Sequence, residues 1–229
     1  MDSSPVRHSG GSAPGAAQAE GCVFCQALDG GSAPVVPVDY NARLASSARF
    51  VVLPALGPLM KGHVLVVSRD HAPSLASLGA DAILEFERLV KKVRRLYLQL
   101  GGDLLEAEHG AVLAQSGGGC IVHAHVNLLP RAGQFYNILK GVLPHLNVSL
   151  PLTNLASVVQ PYILLKAADG MSVHDASAAQ SQLIRRVLCR HFGRADDWDW
   201  AVFPRLDVVE QTIRFWKDIY DGESLLGSG

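Results

Sequence analysis

Apolar residues recur along this chain with two different periods, and the switch between them marks out its elements. Residues 48–56 (ARFVVLPAL) and 63–68 (HVLVVS) are short apolar runs separated by Gly57, Pro58 and Gly62. They predict two neighbouring strands joined by a turn. The period then lengthens: Ile83, Phe86, Val90, Val93 and Tyr97 fall at three- and four-residue steps, with Glu85, Arg88, Lys92 and Arg95 between them. That spacing predicts an amphipathic helix over 80–99, ended by Gly101-Gly102. Residues 110–115 (GAVLAQ) and 121–129 (IVHAHVNLL) predict a second strand pair around Ser116-Gly117-Gly118-Gly119, closed by Pro130. A helix over 134–146, a strand over 161–167 and helices over 179–192 and 207–219 follow, without internal repeats. The fold class is α+β, an antiparallel sheet flanked by helices.

Composition narrows the classes of partner. Of the 229 residues, 48% are hydrophobic and 18% charged, with a formal net charge of −1. This is a globular balance with no broad basic field, so a nucleic-acid polymer is not an expected partner. No apolar run approaches the roughly 18 residues of a membrane span, so no membrane association is expected. The first 20 residues, rich in Ser, Gly, Pro and Ala, lack the apolar core of a secretory signal and read as a disordered tail. Four cysteines (22, 25, 120 and 189) without an export signal point to the cytoplasm.

Two segments carry candidate chemistry. In a strand, alternate residues share a face, so His123, His125 and Asn127 are expected to line one face while Val122, Ala124, Val126 and Leu128 pack on the other. A triple-glycine loop just before them could turn backbone N–H groups toward an anion, although such runs also serve as plain turns. Cys22-Val-Phe-Cys25 has the spacing of a zinc half-site or a redox motif. The tail-like sequence before it does not supply the strand of a thioredoxin-like unit.

Taken in order, three segments resemble the histidine triad (HIT) superfamily. His123-Ala-His125-Val-Asn127-Leu-Leu-Pro is similar to its His-φ-His-φ-His-φ-φ signature. Gly62-His63-Val-Leu-Val-Val-Ser-Arg-Asp-His71 is similar to its upstream strand and turn, and Cys22-x-x-Cys25 to its N-terminal cysteine pair. The resemblance covers residues 21–131. It implies a HIT-like domain over 21–150, with residues 151–229 as a C-terminal α/β extension packed on it. It also implies a nucleotide or nucleotide-conjugate substrate, cleaved at the α-phosphate by a hydrolase or phosphorylase through a nucleotidyl intermediate on His125. Neutral imidazole suits that role, being nucleophilic near pH 7 and able to leave again.

The resemblance further implies a structural Zn²⁺ held by Cys22, Cys25, His71 and His123. Candidate phosphate contacts are Gln115, Ser116, Gly117, Gly118, Gly119 and Asn127. His63 is expected either to orient His125 or simply to pack at a strand end. Small HIT domains commonly pair two sheets across a dimer, so a homodimer is a candidate assembly, and the extension could block that edge or support it.

This chain departs from the signature at Asn127, where the third histidine should stand. An amide keeps a hydrogen-bond donor but cannot act as a general acid, a loss of about a hundred- to ten-thousand-fold in rate where that proton is needed. Three consequences stay open: substrates with good leaving groups, a nucleotidyltransferase like the uridylyltransferase branch, which carries glutamine there, or nucleotide binding without turnover. The first strand, Val51 to Pro58, is apolar where the family usually has a polar residue near the ribose. Gln182 and Arg185, at the start of the 179–192 helix, are candidate substrate contacts, the alternative being an ordinary helix covering the sheet. Glu108-His109-Gly110 reads as an exposed turn, or as a support for the glycine loop. Cys120 is expected to pack beside that loop, Cys189 to be buried, and Trp198 and Trp200 to supply packing surface.

Overall fold

The computed structural model describes residues 21–29, 42–99, 102–111, 121–146 and 151–226. The expected tail (1–20), the glycine loop with Gln115 to Gly119, and Cys120 lie outside the described residues. In chain order the elements are α1 (Val23–Leu28), β1 (Ala45–Ser46), β2 (Phe50–Pro54), β3 (Val64–Ser68), α2 (Ala80–Gln99), β4 (Leu104–Gly110) and β5 (His125–Pro130). They continue with α3 (Tyr136–Lys140), β6 (His145–Leu146), β7 (Tyr162–Ala167), β8 (Gly170–Asp175), α4 (Leu183–His191) and α5 (Leu206–Leu226). The strands form one eight-stranded sheet in the order β1-β2-β3-β5-β4-β7-β8-β6, every neighbour antiparallel. No helix among the described residues is long and apolar enough to cross a membrane.

Alternation along each strand divides the core in two. One face carries Phe50, Val52, Val64, Val66, Val126 and Leu128 against α2, whose Ile83, Phe86, Val90, Val93 and Tyr97 are all buried as their spacing predicts; Trp216 of α5 joins them. Tyr97 donates to the Gly62 carbonyl (2.5 Å) and accepts from the Trp216 indole N–H (3.1 Å), tying α5 to the turn before β3. The opposite face has two apolar clusters. Val51, Leu53, Leu65 and Val67 pack under Phe24 of α1, and Leu105, Ala107, Ile163 and Leu165 pack under α3 and α4. Between them, on β5, lie His125 and Asn127.

Several expectations need correcting. The strand expected at 110–115 is Leu104–Gly110, and residues 112–115 lie outside the described residues. Its sequence, LLEAEHG, conceals a strand because Glu106 and Glu108 stand on the face packed against α2. Glu106 is matched by Arg94 and Lys166, and Glu108 accepts from Tyr162 Oη (2.5 Å) and the Leu75 N–H (2.8 Å). Glu108-His109-Gly110 is therefore not an exposed turn: Glu108 is 1% exposed. Gly110 makes the arrangement possible, since a Cβ there would lie 2.3 Å from the Tyr162 ring. The histidine strand begins at His125 rather than at 121, because Ala124 N–H bonds to Ala72 O (2.6 Å) before the ladder starts. The helix expected over 134–146 is only Tyr136–Lys140 after a 3₁₀ turn, and residues 145–146 pair with β8 instead. Strand β8 was not expected at all; its Gly170-Met-Ser-Val-His-Asp sequence is mostly polar.

The sheet runs without a break across residue 150, because β7 pairs with the outer edge of β4. The extension also grips the turn between β2 and β3. Arg185 Nη2 donates to Gly57 O (2.5 Å), Arg194 Nη2 to Leu59 O (2.8 Å) and Arg205 Nη1 to Pro58 O (3.0 Å).

Burial pushes the Glu108 carboxyl up to about 7, outweighing the hydrogen bonds from Tyr162 and Leu75 that favour its ionised form. The folded chain holds this proton more tightly than the unfolded chain does. Its contribution is thus fully present below about pH 4.5 and lost as pH rises through about 7. Glu108→Gln should match the wild type at pH 4 and exceed it by about 3 kcal/mol at pH 8, read from urea unfolding across that range. Parallel stability curves for the two proteins would contradict this.

Candidate active site and metal centre

The turn and helix carrying Cys22 and Cys25 place both sulfurs against two rings from distant parts of the chain. Cys22 Sγ lies 3.3 Å from His123 Nδ1, Cys25 Sγ 3.3 Å from His71 Nδ1 and 3.6 Å from His123 Nδ1. The four ligand atoms all lie within 4.8 Å of one another. A tetrahedral zinc with ordinary Zn–S and Zn–N bonds sets a sulfur–nitrogen edge of about 3.6 Å, so the cluster has the dimensions such an ion needs. His123 is also in the correct tautomer. Its Nε2–H donates to Ser68 O (2.7 Å), leaving the Nδ1 lone pair facing the sulfurs. Burial and the neighbouring Cys22 push the Cys25 thiol up to about 12, so a cation is needed to hold this sulfur as a thiolate at neutral pH. Cys22, Cys25, His71 and His123 can thus hold zinc, and they are the four residues the family resemblance implied.

His125 stands two residues beyond His123, half-buried, with its ring 5.0 Å from that of Phe24. Its Nδ1–H donates to the His123 carbonyl at 2.6 Å. A carbonyl can only accept, so the proton is on Nδ1 and the lone pair on Nε2. Burial lowers the His125 pKa, keeping the ring neutral. The residue that anchors the metal cluster with its ring therefore orients the nucleophile candidate with its backbone.

Asn127 is held from both sides. Its Oδ1 accepts from His63 Nε2–H (3.0 Å), and its Nδ2 donates to Ala107 O (3.2 Å). His63 is fully buried and its Nδ1 accepts from the Leu59 N–H (3.1 Å), which fixes the tautomer that reaches Asn127. Burial, with the nearby Arg185 charge, brings the His63 pKa down to about 3. His63 thus bonds to Asn127 and acts on the His125 strand from there. The amide keeps one hydrogen beyond these two partners.

Gln182 is engaged within the extension itself, and Arg185 bridges the extension to the turn between β2 and β3. Gln182, in the left-handed region at φ 57°, donates to Asp199 Oδ1 (3.1 Å) and accepts from the Trp200 N–H (3.3 Å). Arg185 Nε donates to Trp198 O (2.7 Å) in addition to its bond with Gly57 O. Trp198 packs face-on under the Arg186 guanidinium at 3.2 Å, and Cys189 is fully buried. Arg194 and Arg205 had no place in the sequence reading, because the loop carbonyls they grip leave no trace in residue type. His109 falls in a segment that reads as a turn, and alternation through Leu105 and Ala107 puts it on the sheet face that carries Asn127 and His125.

An antiparallel sheet with flanking helices, presenting such a histidine strand behind a Cys₂His₂ cluster, belongs among the histidine triad proteins. Residues 16–130 match the family described as "Protein similar to CwfJ C-terminal", and the chain is a member of it. The chain is 26% identical over 120 residues to an adenosine 5'-monophosphoramidase of Schizosaccharomyces pombe, covering 52% of this chain and 81% of that protein. It is likewise 26% identical over 126 residues to an uncharacterized HIT-like protein of Saccharolobus solfataricus, covering 54% of this chain and 83% of the other. Among solved structures, a histidine triad nucleotide-binding protein from Candida albicans is 19% identical with a TM-score of 0.36, covering 52% of this chain and 95% of that one. A zinc-bound histidine triad family protein from Mycobacterium smegmatis is also 19% identical, with a TM-score of 0.39, covering 49% and 76%.

The protein isolated without chelators should contain about one zinc per chain by plasma emission, and Cys25→Ser should contain essentially none. Loss of a few kcal/mol would lower Tm by about 5–15 °C, measured by scanning calorimetry. Equal metal content and equal Tm in the two proteins would rule out the cluster as a zinc site.

Proposed function

We propose that this chain is a nucleotide hydrolase or phosphorylase that cleaves a phosphoanhydride or phosphoramidate at the α-phosphate through a nucleotidyl intermediate on His125. The observation that carries this reading is the 2.6 Å bond from His125 Nδ1–H to the His123 carbonyl, which leaves the Nε2 lone pair as the reactive atom. Attack forms the P–N bond, and the leaving group departs with the P–X electron pair. Asn127, clamped by His63 and Ala107, offers its remaining amide hydrogen to an equatorial phosphoryl oxygen. Family membership and the similarity to the phosphoramidase of Schizosaccharomyces pombe support nucleotide chemistry in general.

Zinc has a structural role in this reading. When bound, it clamps α1 to the strand entrance and fixes His123, whose carbonyl sets the tautomer of His125. Cysteines that serve as metal ligands and core residues fit a reducing compartment such as the cytoplasm. The outer edge of β4 pairs with β7 of the same chain, so a homodimer would have to use a different surface from that edge.

His125→Ala should abolish release of nucleoside monophosphate from adenylylated and guanylylated test substrates, with wild-type zinc content retained. Full turnover by this variant would refute the covalent mechanism. Turnover that depends on an added phosphorylated acceptor would mark a nucleotidyltransferase. Tight nucleotide binding without turnover would mark a binding module, in which case Asn127→His is the variant that should gain activity.

A further inference from the structure

Strand β4 runs antiparallel to β5 with Ala107 opposite Asn127. The β4–β5 ladder closes at that pair, and one alternation further along each strand His109 and His125 project from the same face of the sheet, close enough for His125 to act electrostatically on His109. His109 Nε2 is shielded from solvent and has no hydrogen-bond partner among the described residues. Most shielded polar atoms are paired, so an unpaired imidazole nitrogen next to a nucleophile suggests a role with substrate or water.

Three other imidazoles on this side of the sheet are committed. His63 bonds Leu59 N–H and Asn127, and His123 uses one nitrogen on Ser68 O and turns the other to the sulfurs. His174 bonds Leu143 O and Ser172 Oγ. Across from His109 on β7 stands Ile163, which offers no proton carrier. Asn127 cannot exchange a proton at all.

We propose that His109 is the general base that hydrolyses the nucleotidyl-His125 intermediate, and that the substrate is a phosphoanhydride or another nucleotide ester with a low-pKa leaving group. The inference rests on the reading of His125 as nucleophile. In the first step the leaving group departs as a stable anion and needs no proton, so the missing third histidine costs little. An amine leaving group would need one, and neither Asn127 nor a neutral imidazole can supply it. In the second step a water oxygen attacks phosphorus and the P–O bond forms. The P–N bond breaks and its electron pair returns to His125 Nε2. His109 takes the water proton, becomes imidazolium, and gives the proton up to solvent. Burial and the neighbouring His125 hold the His109 pKa at about 4, which keeps its base form populated at neutral pH, and an anionic phosphoryl group above it would draw that value upward.

The test uses the full chain and the p-nitrophenyl esters of the four common nucleoside 5'-monophosphates. The wild type should release nitrophenolate continuously from at least one of them. His109→Ala and His109→Gln should each give one burst, about equal to the enzyme present, followed by turnover about 10²–10⁴-fold slower. Intact mass should show a nucleotidyl adduct that His125→Ala lacks, and added imidazole should speed its hydrolysis in His109→Ala. A purely structural role for His109 would yield neither the adduct nor the rescue.

Wild-type steady-state rates in both His109 variants would overturn the proposal. So would loss of the burst together with turnover in variants of normal circular dichroism and zinc content, and either result leaves the nucleophile standing. Turnover that survives in His125→Ala, or a wild type inert to all four esters, would instead remove the nucleophile and this proposal with it.

Discussion

Strand β5 is held by two neighbours at once, and that double pairing is the constraint on which the site depends. Val67 and Leu65 of β3 stand opposite His125 and Asn127, while Ala107 of β4 meets Asn127 from the other side. A slip of one residue would turn both polar side chains into the α2 core and bring Val126 and Leu128 out to the opposite face. Burial of those two residues against α2 therefore fixes the direction in which His125 points. The apolar half of the strand sets the register, and the polar half inherits its geometry from it.

A second set of bonds sharpens that geometry to the level of individual protons. Ser68 O decides which nitrogen of His123 carries hydrogen, and the His123 carbonyl decides the same for His125. Leu59 N–H does so for His63, and His63 in turn orients Asn127. Each group that sets a tautomer in this series is a backbone group, and only the bond from His63 to Asn127 joins two side chains. The tautomers are thus set by main-chain positions that side-chain substitution alters little.

The extension beyond residue 150 does more than cover the sheet. Strand β7 occupies the edge of β4, which would otherwise present unpaired N–H and C=O groups to another chain. Three arginines from α4, its following loop and the start of α5 take up the carbonyls of Gly57, Pro58 and Leu59, just before His63. Tyr162 on the same β7 strand gives the buried Glu108 a hydrogen bond. The part of the chain that lies beyond the HIT signature thereby stabilises the turn and strand that frame it.

Much of this was legible in residue order alone. The β-branched runs of β2 and β3 and the three- and four-residue spacing of α2 depend on local periodicity, which the sequence displays directly, and the pairing of Cys22-x-x-Cys25 with His71 and His123 followed from the resemblance to the HIT superfamily. Strand β4 was misplaced because its polar residues are matched by partners far along the chain, as Glu106 is by Arg94 and Lys166 and Glu108 by Tyr162. The nearness of His109 to His125, the engagement of Gln182 and Arg185 with backbone and side chains of distant segments, and the choice of protonated nitrogen on each ring were decided by the tertiary structure. These features depend on strand register and on backbone carbonyls brought together from distant segments, and neither is encoded by residue type at a single position.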